Sequence, residues 1–177
     1  MDVLKEVLTL VWLVLPAYVA NGSPVVGAKI LDKVGFKRHP VDMGKLFIDG
    51  RRIFGDNKTW EGLVIGIVSG ILVGFIQSYL CCHSLEYIVR GVALSIGAMT
   101  GDLLGAFIKR RLGIKSGDPL PIVDQTLFLF VALTLAYALN TVNITLSQLL
   151  VLTAITIFLH VATNFVSYKL RLKDVPW

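Results

Sequence analysis

Five apolar runs, Val3–Ala20, Gly62–Leu80, Ile88–Ile108, Ile122–Leu139 and Leu146–Tyr168, leave this chain few folds to choose from. Each has about the 17 to 25 mostly apolar residues that a helix needs to cross a bilayer. No water satisfies the backbone at that depth, so N–H and C=O groups must pair within the segment, which selects helix over open strand. At 55% hydrophobic and 16% charged over 177 residues, the chain is too apolar for a soluble domain of this size. The expected fold is an all-α integral membrane protein with five transmembrane helices. It forms a single membrane domain over 1–177, with loops at 21–61 and 109–121. The first run is expected to remain as a span, because Asp2 and Glu6 spoil the basic start of a cleaved leader.

Charge sets the expected orientation. All but Lys5 and Arg90 of the 17 Lys and Arg residues fall between runs one and two, between runs three and four, or after run five. Short basic loops stay on the cytoplasmic side. The N-terminus is therefore expected outside and the C-terminus inside, in a multi-pass protein of the cell membrane. The long loop between the first two helices then faces the cytoplasm. The net charge of +5 reflects this topology and an anionic partner; no aromatic-interleaved basic pattern points to nucleic acid. Asn21-Gly22-Ser23-Pro24 is expected to end the first helix. Glycines recur every fourth residue at 62, 66, 70 and 74 and again at 97, 101 and 105. Such stripes let helix backbones approach closely in lipid, and these are expected to clamp runs two and three together.

The chemistry concentrates in Gly101–Gln125, GDLLGAFIKRRLGIKSGDPLPIVDQ. Asp102 lies inside an apolar run, where an ionised carboxylate costs several kcal/mol unless it faces protein, water or a cation. Lys109 follows two helical turns later on the same face, and Arg110, Arg111 and Lys115 add positive charge beyond it. Asp124 then opens the next apolar run. Upstream, GRRIFGDNKTWEG over 50–62 brings Arg51, Arg52 and Lys58 together with Gly55, Asn57 and Thr59 at a helix start. Exposed backbone N–H groups, a lysine and a helix N-terminus suit a polyphosphate. The same residues also serve an ordinary positive-inside loop with a capped helix.

Two carboxylates and a Lys/Arg cluster, without a convincing Ser/His/Asp or Cys/His nucleophile, point to phosphoryl or nucleotidyl transfer. Asp102 and Asp124 would hold Mg²⁺, which takes one or two protein carboxylates plus phosphate oxygens and waters. An ion or proton carrier using Asp102 is the distant alternative, but the polar residues gather at one face and form no ladder across.

These stretches resemble the CTP:phosphatidate cytidylyltransferase superfamily, in which a KTWEG-like helix start accompanies a GDL…KR…K…LP…D signature. The likeness is nearest to its archaeal branch, the CDP-archaeol synthases. It is carried by 16–25, 40–62, 101–125 and the tail HVATNFVSYKLRLKDVPW at 160–177. The resemblance implies that the phosphate of 2,3-di-O-geranylgeranyl-sn-glycerol 1-phosphate, an isoprenoid diether glycerol phosphate lipid, attacks the α-phosphorus of CTP and releases pyrophosphate. It implies Asp102 and Asp124 as metal ligands, and Lys58, Lys109, Arg110 and Lys115 as phosphate contacts. Asn57 and Thr59 would orient substrate, while Arg51, Gly55, Arg111, Asn21, Asp49, His160 and Asn164 complete the expected site. A diacyl phosphatidate substrate is the nearer alternative.

Overall fold

The computed structural model describes residues 3–81, 83–172 and 175, so most of the last five residues of the tail motif lie outside it. Five helices follow in order, α1 (Val3–Lys33), α2 (Trp60–Leu80), α3 (Leu85–Arg111), α4 (Val123–Ala138) and α5 (Leu146–Lys169). Among the described residues there is no sheet, only the isolated bridges Pro40–Thr59 and Leu46–Arg52. Helices α1, α2, α3 and α5 are long and apolar enough to cross a membrane. At 16 residues, α4 is just shorter than the length a span usually needs.

Helix α1 does not end where the turn residues suggest. It continues through Asn21-Gly22-Ser23-Pro24 to Lys33, with Pro16 and Pro24 both inside it, so the expected loop at 21–61 shrinks to the segment after Lys33. Proline breaks a helix by removing one hydrogen bond and crowding the preceding turn, but in membrane bundles neighbouring helices make good that loss. Here Leu10, Val14, Ala17, Ala20 and Gly27 are buried along the helix and hold it as one rod. At Gly27 an added Cβ would fall 2.6 Å from Ile65 Cδ1 of α2, so the second half of α1 also touches α2 closely at this point.

The glycine stripes act as spacers: the α2 stripe packs on α3 as expected and also on α1, whereas the α3 stripe turns to a different partner. In α2, a Cβ at Gly66 would meet Met99 of α3 and lie 2.8 Å from the Ala20 carbonyl of α1. One at Gly74 would lie 2.9 Å from the Gly91 Cα of α3, so the α2 stripe fills the crease between α1 and α3. Gly97 and Gly101 of α3 face the other way. Added Cβ atoms there would lie 2.5 Å from the Ala132 Cα and 2.6 Å from the Phe128 Cα, both in α4. The period tells which residues share a face, while the neighbour covering that face is set by tertiary packing. As a result α3 is pressed backbone to backbone onto α4, which brings the segment bearing Asp102 against the helix that Asp124 begins.

Candidate active site

Two ion pairs sit where the loop after α1 meets α3 and α4. Lys58 Nζ donates to both oxygens of Asp102 at 2.7 Å, and Lys109 Nζ donates to Asp124 Oδ2 at 2.8 Å. The pairing is crosswise. Lys109 shares a helix face with Asp102, yet its partner lies on α4, and Asp102 is met instead by a lysine from the loop before α2. The Leu120 backbone N–H also donates to Asp124 Oδ2 at 2.8 Å, while the Asp124 N–H returns a bond to the Leu120 carbonyl at 3.0 Å. This reciprocal turn passes through Ile122, whose φ of 68° is a left-handed conformation rare for a β-branched residue.

Beside the pairs lies a cleft of about 390 Å³ lined by Arg51, Arg52, Gly55, Asp56, Arg110, Gly113, Ile114, Lys115 and Ser116. Neither Asp102 nor Asp124 lines it. The connection is through the chain, because Arg110 follows Lys109 and Lys58 lies three residues after Gly55. Arg110 is buried, and its Nε has no hydrogen-bond partner among the described residues. A buried guanidinium N–H without an acceptor is costly, so an anion in the cleft is its natural complement. Gly55 has a φ of +96°, and a Cβ there would fall 3.0 Å from Arg110 Nη1, so both backbone and space call for glycine.

The loop forming one wall is held by charges. Asp42 is buried and accepts from the Arg52 guanidinium and from the N–H groups of Gly44, Phe54 and Gly55, the last at 2.8 Å. Burial alone would raise its carboxyl, but these donors outweigh burial and hold it far below the usual carboxylate range. Arg52 also reaches Asp56 at 2.7 Å. A second brace links the loop to the end of α3. Arg51 Nη1 donates to the Arg111 carbonyl at 2.6 Å, Arg111 Nη2 donates to the Arg52 carbonyl at 2.6 Å, and Arg111 Nη1 lies 2.9 Å from Asp49 Oδ1. The Arg111 guanidinium also lies 4.7 Å and 4.8 Å from the rings of Phe47 and Phe107.

Of the expected residues, then, the structure gathers Lys58, Asp102, Lys109 and Asp124 into pairs, and Arg51, Gly55, Arg110 and Lys115 around the cleft. Asp49 and Arg111 join in the brace. Thr59 caps α2 by accepting from Gly62 N at 3.2 Å. Asn57 approaches the Gly117 turn. Asn21, His160 and Asn164 do not line the cleft; they lie on α1 and α5, with the His160 ring edge-on to Phe128 at 6.3 Å. Asp42 and Asp56 carry no expectation from the sequence, and Arg52, expected only as one of the cations of the 50–62 stretch, is engaged by both of them. Asp42 offers no local signal, because the groups it binds lie further along an irregular loop.

The CarS-like family, described as CDP-archaeol synthase, matches residues 3–177. The chain belongs to the CDP-archaeol synthase family. A CDP-archaeol synthase of Pyrobaculum calidifontis is 44% identical over 98% of this chain and 100% of its own length. One of Pyrococcus furiosus is 43% identical over 98% and 100%. A solved structure of an intramembrane enzyme for archaeal membrane lipid biosynthesis superposes with a TM-score of 0.79 at 39% identity, covering 89% of this chain and 94% of the other. As a CDP-archaeol synthase family member the chain is a membrane-embedded, CTP-using cytidylyltransferase of archaeal lipid biosynthesis. The carrier alternative is thereby set aside.

Cytidylyl transfer commonly uses a divalent metal, and the donor set suits one. Asp102 and Asp124 offer hard oxygens, each with a side chain 30% exposed, beside lysines that suit phosphate. Among the described residues no three His, Cys, Asp or Glu side chains cluster as a dedicated metal cage. Magnesium needs no such cage when phosphate oxygens and water complete its shell.

Proposed function

We propose that this chain transfers CMP from CTP to the phosphate of 2,3-di-O-geranylgeranyl-sn-glycerol 1-phosphate, giving CDP-archaeol and pyrophosphate. The observation that carries this reading is the buried Arg110, with its unpartnered Nε, at a basic cleft beside two lysine–aspartate pairs. A lipid phosphate oxygen attacks the α-phosphorus of CTP, and the bond from that phosphorus to the oxygen bridging the β-phosphate breaks. An ionised phosphate needs no general base, so the protein's task is positioning and charge neutralisation. Arg110 and Lys115 bind the triphosphate, and Lys58 and Lys109 hold phosphate oxygens close to Asp102 and Asp124. Those two carboxylates would bind Mg²⁺, which supplies Lewis-acid neutralisation of the developing charge. Asn57 and Thr59 orient the nucleotide, and Arg51, Arg111 and Asp49 keep the cleft wall in place. Asn21, His160 and Asn164 are assigned to the lipid side of the site.

In this reading α4 also spans the membrane, making five spans, the N-terminus is outside and the site opens to the cytoplasm, where CTP is found. The basic-residue distribution supports that orientation. An Asn143→Cys variant without other cysteines should react with an impermeant thiol reagent from outside oriented vesicles. Reaction only from the cytoplasmic side would reject the topology.

The deciding experiment compares kcat/KM for the isoprenoid diether glycerol phosphate and for diacyl phosphatidate, reading CTP-dependent pyrophosphate release in matched micelles. Each methyl group in an apolar groove discriminates by about 1–3 kcal/mol, so the branched diether should be favoured. A preference for the diacyl lipid would reject the assignment.

A further inference from the structure

Glu61, the acid of the KTWEG stretch, belongs neither to the two lysine–aspartate pairs nor to the cleft lining. Its side chain is only 17% exposed, and both of its oxygens are engaged by one residue. Oε2 accepts from the His39 backbone N–H at 2.9 Å, and Oε1 lies 2.7 Å from His39 Nδ1. His39 begins a short extended segment that pairs with the approach to α2. The Trp60 N–H donates to the His39 carbonyl at 3.0 Å, and the Val41 N–H donates to the Lys58 carbonyl at 2.8 Å, around the Pro40–Thr59 bridge. A two-bond antiparallel pair is too short to be stable alone. Its far end is fixed by the Asp42 hub, and its near end by Glu61.

We infer that Glu61 is a positioning residue for Lys58. It clamps His39, His39 and Val41 hold the backbone on either side of Thr59, and this sets where the Lys58 ammonium meets Asp102. Lysine is a long, flexible chain that gains directional value only when its base is held still. The step from Lys58 placement to turnover rests on the function proposed above, whereas the placement itself does not.

Two readouts separate these. The first is zero-length carbodiimide coupling of Lys58 to Asp102, quantified by mass spectrometry, which senses the 2.7 Å pair whether or not Lys58 serves catalysis. Coupling should fall several-fold in Glu61→Ala and persist in Glu61→Gln, whose amide oxygen still accepts from the His39 N–H. The second is a double-mutant cycle on turnover, with thermal unfolding recorded for each variant. Glu61→Ala should lower kcat about tenfold in the native background, but by less than about twofold in Lys58→Met, because the two act as a unit. If Glu61→Ala does not fold, Glu61→Asp, which keeps the charge and shortens the reach by one methylene, takes its place with the same expectations. Unchanged coupling yield, equal losses in both backgrounds, or a Gln variant as impaired as the Ala variant would each overturn the inference. Full activity in Lys58→Met with coupling still dependent on Glu61 would instead defeat the phosphate role of Lys58 and leave the positioning intact.

Discussion

Helices α3 and α5 are both long apolar rods, yet 56% of the apolar window of α3 is buried inside the protein against 11% of that of α5. The buried side of α3 is mostly small, with Gly91, Ala93, Ser95, Gly97, Ala98 and Gly101 beside Leu94 and Met99, while α5 buries only Leu152 and Thr156. In lipid, apolarity does not drive helices together, because the tails are as apolar as leucine; close packing of small residues does. The helix that holds the chemistry is therefore the one with the smallest side chains. The bulky one, with Phe158 and Phe165 exposed, presents itself to lipid.

The contrast is sharpest at the charges. Asp102 on α3 and Asp124 on α4 should each be indispensable, and Asn at either position keeps the size while removing the charge. Loss of one preorganised electrostatic contact typically costs about 10²–10³ in turnover, so pyrophosphate release should fall by that order while the thermal transition stays sharp. Near-native turnover in either variant would remove that residue from the site. Changes on the lipid face of α5, such as Ala154→Leu, should leave turnover within about twofold, as exposed positions usually do.

Acid should separate the charge-held loop from the lipid-held helices. The folded Asp42 carboxyl is depressed, so its contribution is fully present above the unfolded value of about 3.9 and is lost as pH falls through the folded value. Stability should thus be flat at neutral pH and decline below about pH 4. Asp42→Asn should shrink that limb of the curve. The substitution itself should destabilise by about 1.5–3 kcal/mol, the worth of hydrogen bonds to a charged group. An unaltered acid limb in the variant would show that another carboxylate controls it.

A third test separates two glycines of one stripe. At Gly101 a Cβ would collide with the α4 backbone, whereas at Gly105 the nearest atom is Leu127 Cδ2 at 3.7 Å, an ordinary contact. Gly101→Ala should destabilise by about 1–3 kcal/mol through overpacking, and Gly105→Ala should be neutral or better. Equal behaviour in thermal unfolding would mean that α3 and α4 are not pressed together at Asp102.

Much of this architecture is legible in the sequence because its causes are local. Apolar run length marks the helices, and intramembrane Asp102 beside the 109–111 cations marks the chemistry. Partnership is what sequence hides. Heptad spacing puts Asp102 and Lys109 on one face, but crosswise pairing with Lys58 and Asp124 depends on how a loop and a neighbouring helix fold back. The run through Pro24 is hidden for the same reason: Gly27 against Ile65 holds the helix against a turn signal that would end it in isolation. Asp42 is hidden most completely, since an aspartate in a glycine-rich loop looks the same whether it is solvated or buried.

The smallest expected effect tests what holds α5 at all. With so little buried surface, a polar tie should matter more there than in α3, and one exists: the Tyr18 and Thr156 hydroxyls lie 2.7 Å apart, joining α1 to α5. Thr156 is buried and also donates to the Leu152 carbonyl at 2.6 Å, so Tyr18 is the donor across the helices. Interhelical hydrogen bonds in membranes average about 0.6 kcal/mol, with a maximum of about 1.7. Thr156→Val keeps the shape and removes the acceptor, and should therefore cost about 0.6 kcal/mol in unfolding. Tyr18→Phe removes the donor and leaves the Thr156 bond to its own helix intact, so it should cost the same or less. The double variant should cost no more than Thr156→Val alone, because both remove one bond. Additive losses would mean that the hydroxyls act separately and that α5 is held by Leu152 packing, in which case Leu152→Ala should destabilise the protein more than either hydroxyl substitution.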